Sequence, residues 1–328
     1  FSGSFVLIAL YPPAVMIILH FLGAFLMTDM IAFLTKRVRF HERFTRDYRC
    51  VQFLCNGGVI QILIVITMLG YGYYNIGYIK RTEYTIQTSK VSSDYRMVFI
   101  SDTHYGTVQS PAVLQDAVEE IRDLKPDIVV LGGDIVEGGT SREEMEEVFQ
   151  MIGTIESRYG IYYVYGNHDR QQDREQCTYT NEELENAITK NGITILKDNY
   201  VEIGSDLILA GRDDAEFRKK PERLSAEKIL NGVDKERYII MLDHQPVETA
   251  MNGKTGADLQ LSGHTHAGQA FPIGQILRFM DIPYYGEYQI SDCKLIVSSG
   301  ASVGVFPIRT EKHCEYVLID LKQNNTTN

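Results

Sequence analysis

The chain has 328 residues, 44% of them apolar, with 20 tyrosines and no tryptophan, which is enough for one large domain or two ordinary ones. Its net charge of −11 is uneven: residues 1–79 carry six Lys/Arg against three Asp/Glu, and the other 249 carry 26 against 40. So acidic a body argues against a nucleic-acid groove, which needs clustered Lys and Arg, but it admits a phosphate ester if metal ions supply the positive charge.

Residues 5–28 (FVLIALYPPAVMIILHFLGAFLMT) and 51–79 (VQFLCNGGVIQILIVITMLGYGYYNIGYI) contain no Asp, Glu, Lys or Arg. Each exceeds the roughly 20 residues that cross a bilayer. They predict a membrane domain over 1–80 with at least two transmembrane helices, spanning 5–34 and 51–76, the first kinked at Pro12-Pro13. The loop between them, 36–49 (KRVRFHERFTRDYR), is basic and is expected in the cytoplasm. A multi-pass protein of the cell membrane follows, with everything after residue 80 outside the cytoplasm. Residues 81–93 read as a linker. Five scattered cysteines (Cys50, Cys55, Cys177, Cys293, Cys314) lack C-x-x-C spacing and read as free thiols buried like small hydrophobes.

From residue 94 the pattern becomes α/β. RMVFIS (96–101) and DIVVLGGD (127–134) read as buried strands. Between them a helix starts at Ser110-Pro111, with Leu114, Ala117, Val118 and Ile121 on one face. Ser141 and Glu144 have the spacing of a capping box, and strand IYYVYGNHD (161–169) follows their helix. Residues 181–190 predict another helix, stopped near Gly192. Strands recur at 207–211, 238–244, 257–264, 294–299 and 315–321, and 322–328 is a polar tail.

Five of the eight histidines follow apolar strands directly: His104 in FISDTHYG, His168 in YGNHD, His244 in MLDHQP, and His264 and His266 in LSGHTHAG. Asp134 ends another strand in LGGDIVEGG. Carboxyl ends of neighbouring strands in α/β folds converge on one rim, where ligand sites form. Imidazole nitrogen with Asp and Asn oxygen, and no cysteine, suits Mn, Fe, Zn or Co. In an extended segment the alternate residues Asp102/His104 and His264/His266 would each share a face. A carboxylate such as Asp134 could bridge two cations about 4 Å apart.

The ordered set D-x-H, G-D-x-x-E, G-N-H-D, a lone His and G-H-x-H resembles the calcineurin-like metallophosphoesterases over roughly residues 94–321. DHQP, GHTHAGQ, GRDD and GVFPIRTEKHCEY look like their YkuE-type membrane-associated branch. The resemblance implies a four-layer α/β/β/α sandwich, here preceded by transmembrane helices, and two divalent metal ions. Asp102, His104, Asp134 and His266 would hold the first ion. Asp134, Asn167, His244 and His264 would hold the second, with Asp134 bridging. His168, backed by Asn167 and Glu137, would contact the phosphate and protonate the leaving group. Glu137 stands where the family usually has Asp, one methylene shorter, which puts the support of His168 in question. Ala267 replaces a frequent glycine, and Thr103 and Tyr105 replace the usual aliphatics.

Arg309 in PIRTE is a candidate for gripping substrate phosphate or a headgroup, against a surface salt bridge with Glu311 or Glu315. Asp213 and Asp214 read as loop-ordering carboxylates. The leading expectation is a membrane-embedded phosphoesterase acting on phosphodiesters or on lipid- or envelope-linked phosphate esters. A UDP-diacylglucosamine-type pyrophosphate hydrolase and an inactive metal-binding membrane module are the alternatives. Specificity would reside in loops such as 170–181 and 272–292.

Overall fold

Short apolar strands that are buried on both faces must sit between other layers, and that requirement sets the architecture. A computed structural model describes residues 23, 25, 59–171, 176–215, 223–304 and 306–324. Its strands are β1 (Ile79–Thr88), β2 (Tyr95–Ile100), β3 (Ile128–Leu131), β4 (Ile161–Tyr163), β5 (Ile193–Ile195), β6 (Asn199–Ile203), β7 (Leu207–Gly211), β8 (Tyr238–Leu242), β9 (Leu259–Ser262), β10 (Gly286–Ile290), β11 (Cys293–Val297) and β12 (Cys314–Gln323). The helices are α1 (Val59–Asn75), α2 (Pro111–Leu124), α3 (Arg142–Ile152), α4 (Asn181–Lys190), α5 (Ala226–Ile229), α6 (Thr249–Lys254) and α7 (Ile273–Phe279).

The strands form two six-stranded sheets, ordered β1-β12-β2-β3-β4-β5 and β10-β11-β9-β8-β7-β6. Strands β2 to β5 run parallel, as do β7, β8, β9 and β11. Alternate side chains of β2 point to opposite cores, as a pleated strand requires. Met97 and Phe99 join Val130, Leu209, Ile240 and Leu261 in the apolar layer between the sheets. Val98 and Ile100 face the other way, against Leu114, Val118 and Ile121 of α2 and the buried stripes of α3 and α4. On the far side, Ile208, Ile239 and Met241 pack against Ala226 and Ile229 of α5. The order is therefore helices, sheet, sheet, helices.

Local chemistry sets the helix ends. The Ser141–Glu144 capping box forms in full at α3, and Thr180 with Glu183 repeats it at α4.

Several sequence-based boundaries move. The expected linker 81–93 is largely strand: β1 pairs in parallel with β12 over Ile79–Thr88, so the sheet starts before residue 94. Burial alternates along Thr82–Thr88, but the inward positions are Thr82, Tyr84, Ile86 and Thr88, of which only Ile86 is buried, so the period-2 pattern is only weakly apolar. The expected polar tail is partly ordered, because β12 runs through Lys322 and Gln323 and Asn324 N–H donates to Thr88 O. Residues 325–328 lie outside the described residues. Of the thiols, Cys293 and Cys314 are buried as expected, whereas Cys177 is exposed. Cys50 and Cys55 lie outside the described residues.

The predicted span 5–34 and the basic loop 36–49 also lie outside them, apart from Gly23 and Phe25. Within the second apolar run α1 covers 17 residues. Among the described residues, no helix is long and apolar enough to cross a membrane. The C-terminal end of α1 is joined to the α/β body. Gly72 O accepts the Arg309 backbone N–H at 3.0 Å, and the buried Asn75 amide donates to Arg309 O (3.0 Å) and Lys312 O (2.6 Å).

Candidate metal centre

Parallel strands deliver their carboxyl ends to one rim, and the polar residues begin where each strand stops. Asp102 and His104 follow β2, Asp134 follows β3, Asn167 and His168 follow β4, His244 follows β8, and His264 and His266 follow β9. The side chains do not converge by extended period-2 geometry, as the sequence reading assumed. Asp102, His104, Asp134, His264 and His266 all have positive φ, between 42° and 69°. The chain leaves β2, β3 and β9 through left-handed turns, which short loops with their own backbone bonds make possible. Asp102 N–H donates to Gly133 O (3.0 Å) and His104 N–H to Asp134 O (3.1 Å), tying the D-x-H turn to the G-D turn. Two motif glycines are required by close approach: a Cβ on Gly263 would collide with Asp102 Oδ2, and one on Gly166 with Asp134 Oδ1.

Two groups result. Ligand atoms of Asp102, His104 and His266 lie within 4.8 Å of one another, and so do those of Asp134, His244 and His264. Asp134 Oδ2 faces both, 3.2 Å from His244 Nε2 and 3.9 Å from His104 Nε2. Asn167 Oδ1 adjoins the second group, 3.0 Å from His264 Nδ1.

The donor set fits divalent cations. A carbonyl oxygen only accepts, so His244 Nδ1 donates to Gly132 O (2.8 Å) and His266 Nδ1 to Ser302 O (3.2 Å). His104 Nδ1 donates to Glu137 Oε2 at 2.5 Å. These bonds fix the tautomers and turn three Nε2 lone pairs into the site. His104 Nε2 and His266 Nε2 then face each other at 3.1 Å, a contact that positive charge between them would satisfy. His244 Nε2 is buried beside Asp134 without a hydrogen bond of good geometry.

The field agrees. Burial alone would lower His104 and His244, yet Glu137 and Asp134 outweigh it at His104 and Asp134 does so at His244, and both are raised. Burial, with the charges of His104 and Arg309, pushes His266 down to about 3, and burial with His244 lowers His264. Asp134 is held well below the usual carboxylate range, because His244 and His104 overcome the cost of its burial.

Glu137, one methylene longer than the usual Asp, lies between His104 and His168. Its carboxylate reaches two imidazoles, with Oε1 2.9 Å from His168 Nδ1 and Oε2 on His104. Burial works against the imidazolium of His168, but Glu137 and Asp134 outweigh it and push the group up to about 9.

The family model described as calcineurin-like phosphoesterase matches residues 95–268, more than half of the chain. The chain belongs to the calcineurin-like phosphoesterase family. Among curated relatives, a "Transmembrane protein with metallophosphoesterase domain" of Danio rerio is 30% identical over 285 residues, 81% of this chain and 62% of that protein. An "Uncharacterized metallophosphoesterase" of Aquifex aeolicus is 29% identical over 80% of this chain and 98% of its own length. "Uncharacterized metallophosphoesterase YkuE" of Bacillus subtilis is 25% identical over 78% and 91%. Membership places the chain among metal-dependent phosphoesterase hydrolases.

Within this calcineurin-like phosphoesterase, Arg309 and Asp169 have structural roles that the local sequence pattern does not predict. Arg309 does not face substrate: it is fully buried, and its guanidinium donates to His266 O (2.9 Å), Ser299 O (2.7 Å) and Ser302 O (2.6 Å). The expected salt-bridge partners are engaged elsewhere, Glu311 by Gly274 N–H and Glu315 by Ser299 N–H. A planar fork that satisfies three carbonyls is what allows an arginine to sit in this core. Asp169 is the last residue of G-N-H-D. Its buried carboxylate accepts the N–H groups of Asp134 (2.9 Å), Ile135 (2.9 Å), Val136 (3.2 Å) and Gly166 (2.6 Å) and so clamps two ligand turns together. Its place in the motif was the only signal for it. Asp213 pairs with Arg170 at 2.8 Å, a loop-ordering contact of the kind expected.

Arg309→Lys keeps the charge but loses the fork that positions His266. It is expected to weaken metal binding at the Asp102–His104–His266 group by about 10–100-fold while sparing the other group. Metal content per chain, measured across Mn concentrations, checks this; two unchanged occupancies would contradict it.

Proposed function

We propose that the protein is a membrane-anchored, dinuclear-metal phosphoesterase whose catalytic domain lies outside the cytoplasm. Its substrates are phosphodiesters or lipid- or envelope-linked phosphate esters. The observation that carries the dinuclear reading is the pair of three-residue groups, one containing Asp134 and the other within reach of its carboxylate. Asp102, His104, Asp134 and His266 would hold one ion, and Asp134, Asn167, His244 and His264 the other; Mn, Fe, Zn and Co all suit these donors. When bound, the two ions supply Lewis acidity toward the ester phosphate and a nucleophile at neutral pH.

The remaining work belongs to the chain. His168 is part-exposed at the mouth of the site, with its Nδ1 on Glu137 and its backbone N–H on Asp134 Oδ1 at 2.8 Å. Nε2 is therefore the atom that carries the mobile proton, and it is the donor to a departing alkoxide. Glu137 couples this donor to the metal group, since one carboxylate orients both His168 and His104.

Membrane anchoring is supported by the two uncharged runs and by the printed name of the Danio rerio relative. The basic loop 36–49 supports the orientation.

Loss of the donor should depend on the leaving group. In the Mn-loaded full chain, His168→Ala is expected to lower kcat by about 10²–10⁴-fold on an alkyl phosphodiester. The loss should be far smaller on bis-p-nitrophenyl phosphate, whose phenolate leaves without a proton. Equal losses on both esters would contradict the donor assignment.

Sidedness is read through Cys177, the exposed thiol of the catalytic body. In a variant carrying Cys50→Ser and Cys55→Ser, a membrane-impermeant maleimide should label Cys177 in intact cells. Labelling only after permeabilisation would place the domain in the cytoplasm.

A further inference from the structure

A surface helix of a globular protein turns its apolar stripe inward, and α7 does the reverse. The segment 271–282 reads FPIGQILRFMDI, and within α7 only Gly274 is buried. Phe279 is 92% exposed, Met280 60%, Ile276 52% and Phe271 46%. A contiguous apolar patch of this kind on a soluble surface marks a contact with something else.

The segment is fixed in place. Phe271 N–H donates to Thr310 Oγ1 at 2.9 Å, and Gly274 N–H and the Gln275 amide donate to Glu311. The support is the 308–312 loop, the same loop that receives Gly72 and Asn75 of α1. The two elements therefore share one short base. On α1, Ile62, Leu63 and Ile66 are exposed, and Tyr71, Tyr73 and Tyr74 form an exposed group at its C-terminal end. Tyrosines gather where a membrane helix meets water.

We infer that the 271–282 segment inserts into the interfacial layer of a lipid bilayer, as a second membrane contact beside α1. The inference rests on the membrane-anchored reading above and adds the surface through which the catalytic body meets the lipid. A bilayer suits the patch better than a second copy of the chain, because the patch shares its base with α1 and its tyrosines. The segment's charges are one Arg278 and one Asp281 near its end, so a shallow insertion strands little charge, and the arginine stem reaches back to the headgroups. Gln269 and His266 precede Phe271 by two and five residues, so insertion brings the metal centre to headgroup level. The ligand class is then a phosphate ester presented in a membrane surface.

Because the chain has no tryptophan, Phe279→Trp gives a single reporter at the most exposed apolar position of the 271–282 segment. The full-length variant is reconstituted into dioleoylphosphatidylcholine vesicles, with and without lipid brominated on the acyl chain near the headgroup. The expected result is co-flotation with the vesicles, blue-shifted emission and strong bromine quenching. Co-flotation with red, acrylamide-quenched emission would overturn this inference and leave the anchor standing. Blue-shifted emission without bromine quenching would mean a protein occupant, either a second copy or residues 1–58, and would overturn it as well. Failure to float would overturn the anchored reading and the inference together.

Discussion

A carboxylate fully removed from water stays ionised only if positive charge or hydrogen-bond donors are brought to it, and Asp134 is such a group. His168 N–H reaches its Oδ1, while an imidazole from each ligand group approaches its Oδ2. Much of the rim follows from serving that one side chain. Asp169 gathers four backbone N–H groups so that the turns after β3 and β4 meet, and Gly166 lacks a Cβ where Asp134 needs the space. The two sheets contribute because each supplies histidines to one face of the same carboxylate.

That convergence has an energetic cost. Five of the ligand-bearing residues occupy left-handed backbone, each at roughly 1–3 kcal/mol when not supported by its surroundings. The offsetting bonds are local and specific: the D-x-H turn holds the G-D turn through its backbone, and His264 N–H donates to Asp102 Oδ1 at 3.0 Å. Arg309 extends the framework outward. Its backbone takes contacts from α1 while its guanidinium fixes the carbonyl of His266, so the helix in the apolar run and a metal-group histidine belong to one bonded unit.

How much could be read in advance follows from what each residue depends on. The candidate ligands were legible because imidazoles and carboxylates placed directly after buried apolar strands have few other reasons to recur, and the two groups assemble from the residues named for them. Helix starts were legible where capping is local, as at Ser141. Strand β1 was not, because the inward positions of its alternation are mostly Thr and Tyr, which mark an apolar face only weakly. The place of Arg309 was not legible, because its burial depends on carbonyls supplied by residues 7 to 43 positions away, which no local pattern encodes. The left-handed turns were missed because positive φ at Asp and His has no compositional marker comparable to glycine's.

The most direct test of the shared-carboxylate account is anomalous diffraction from crystals of the full chain soaked in Mn. The account predicts two peaks, one among Asp102, His104 and His266 and one among Asp134, His244 and His264, with the Asp134 carboxylate contacting both. A single peak at saturating Mn, or two peaks that do not share Asp134, would contradict it.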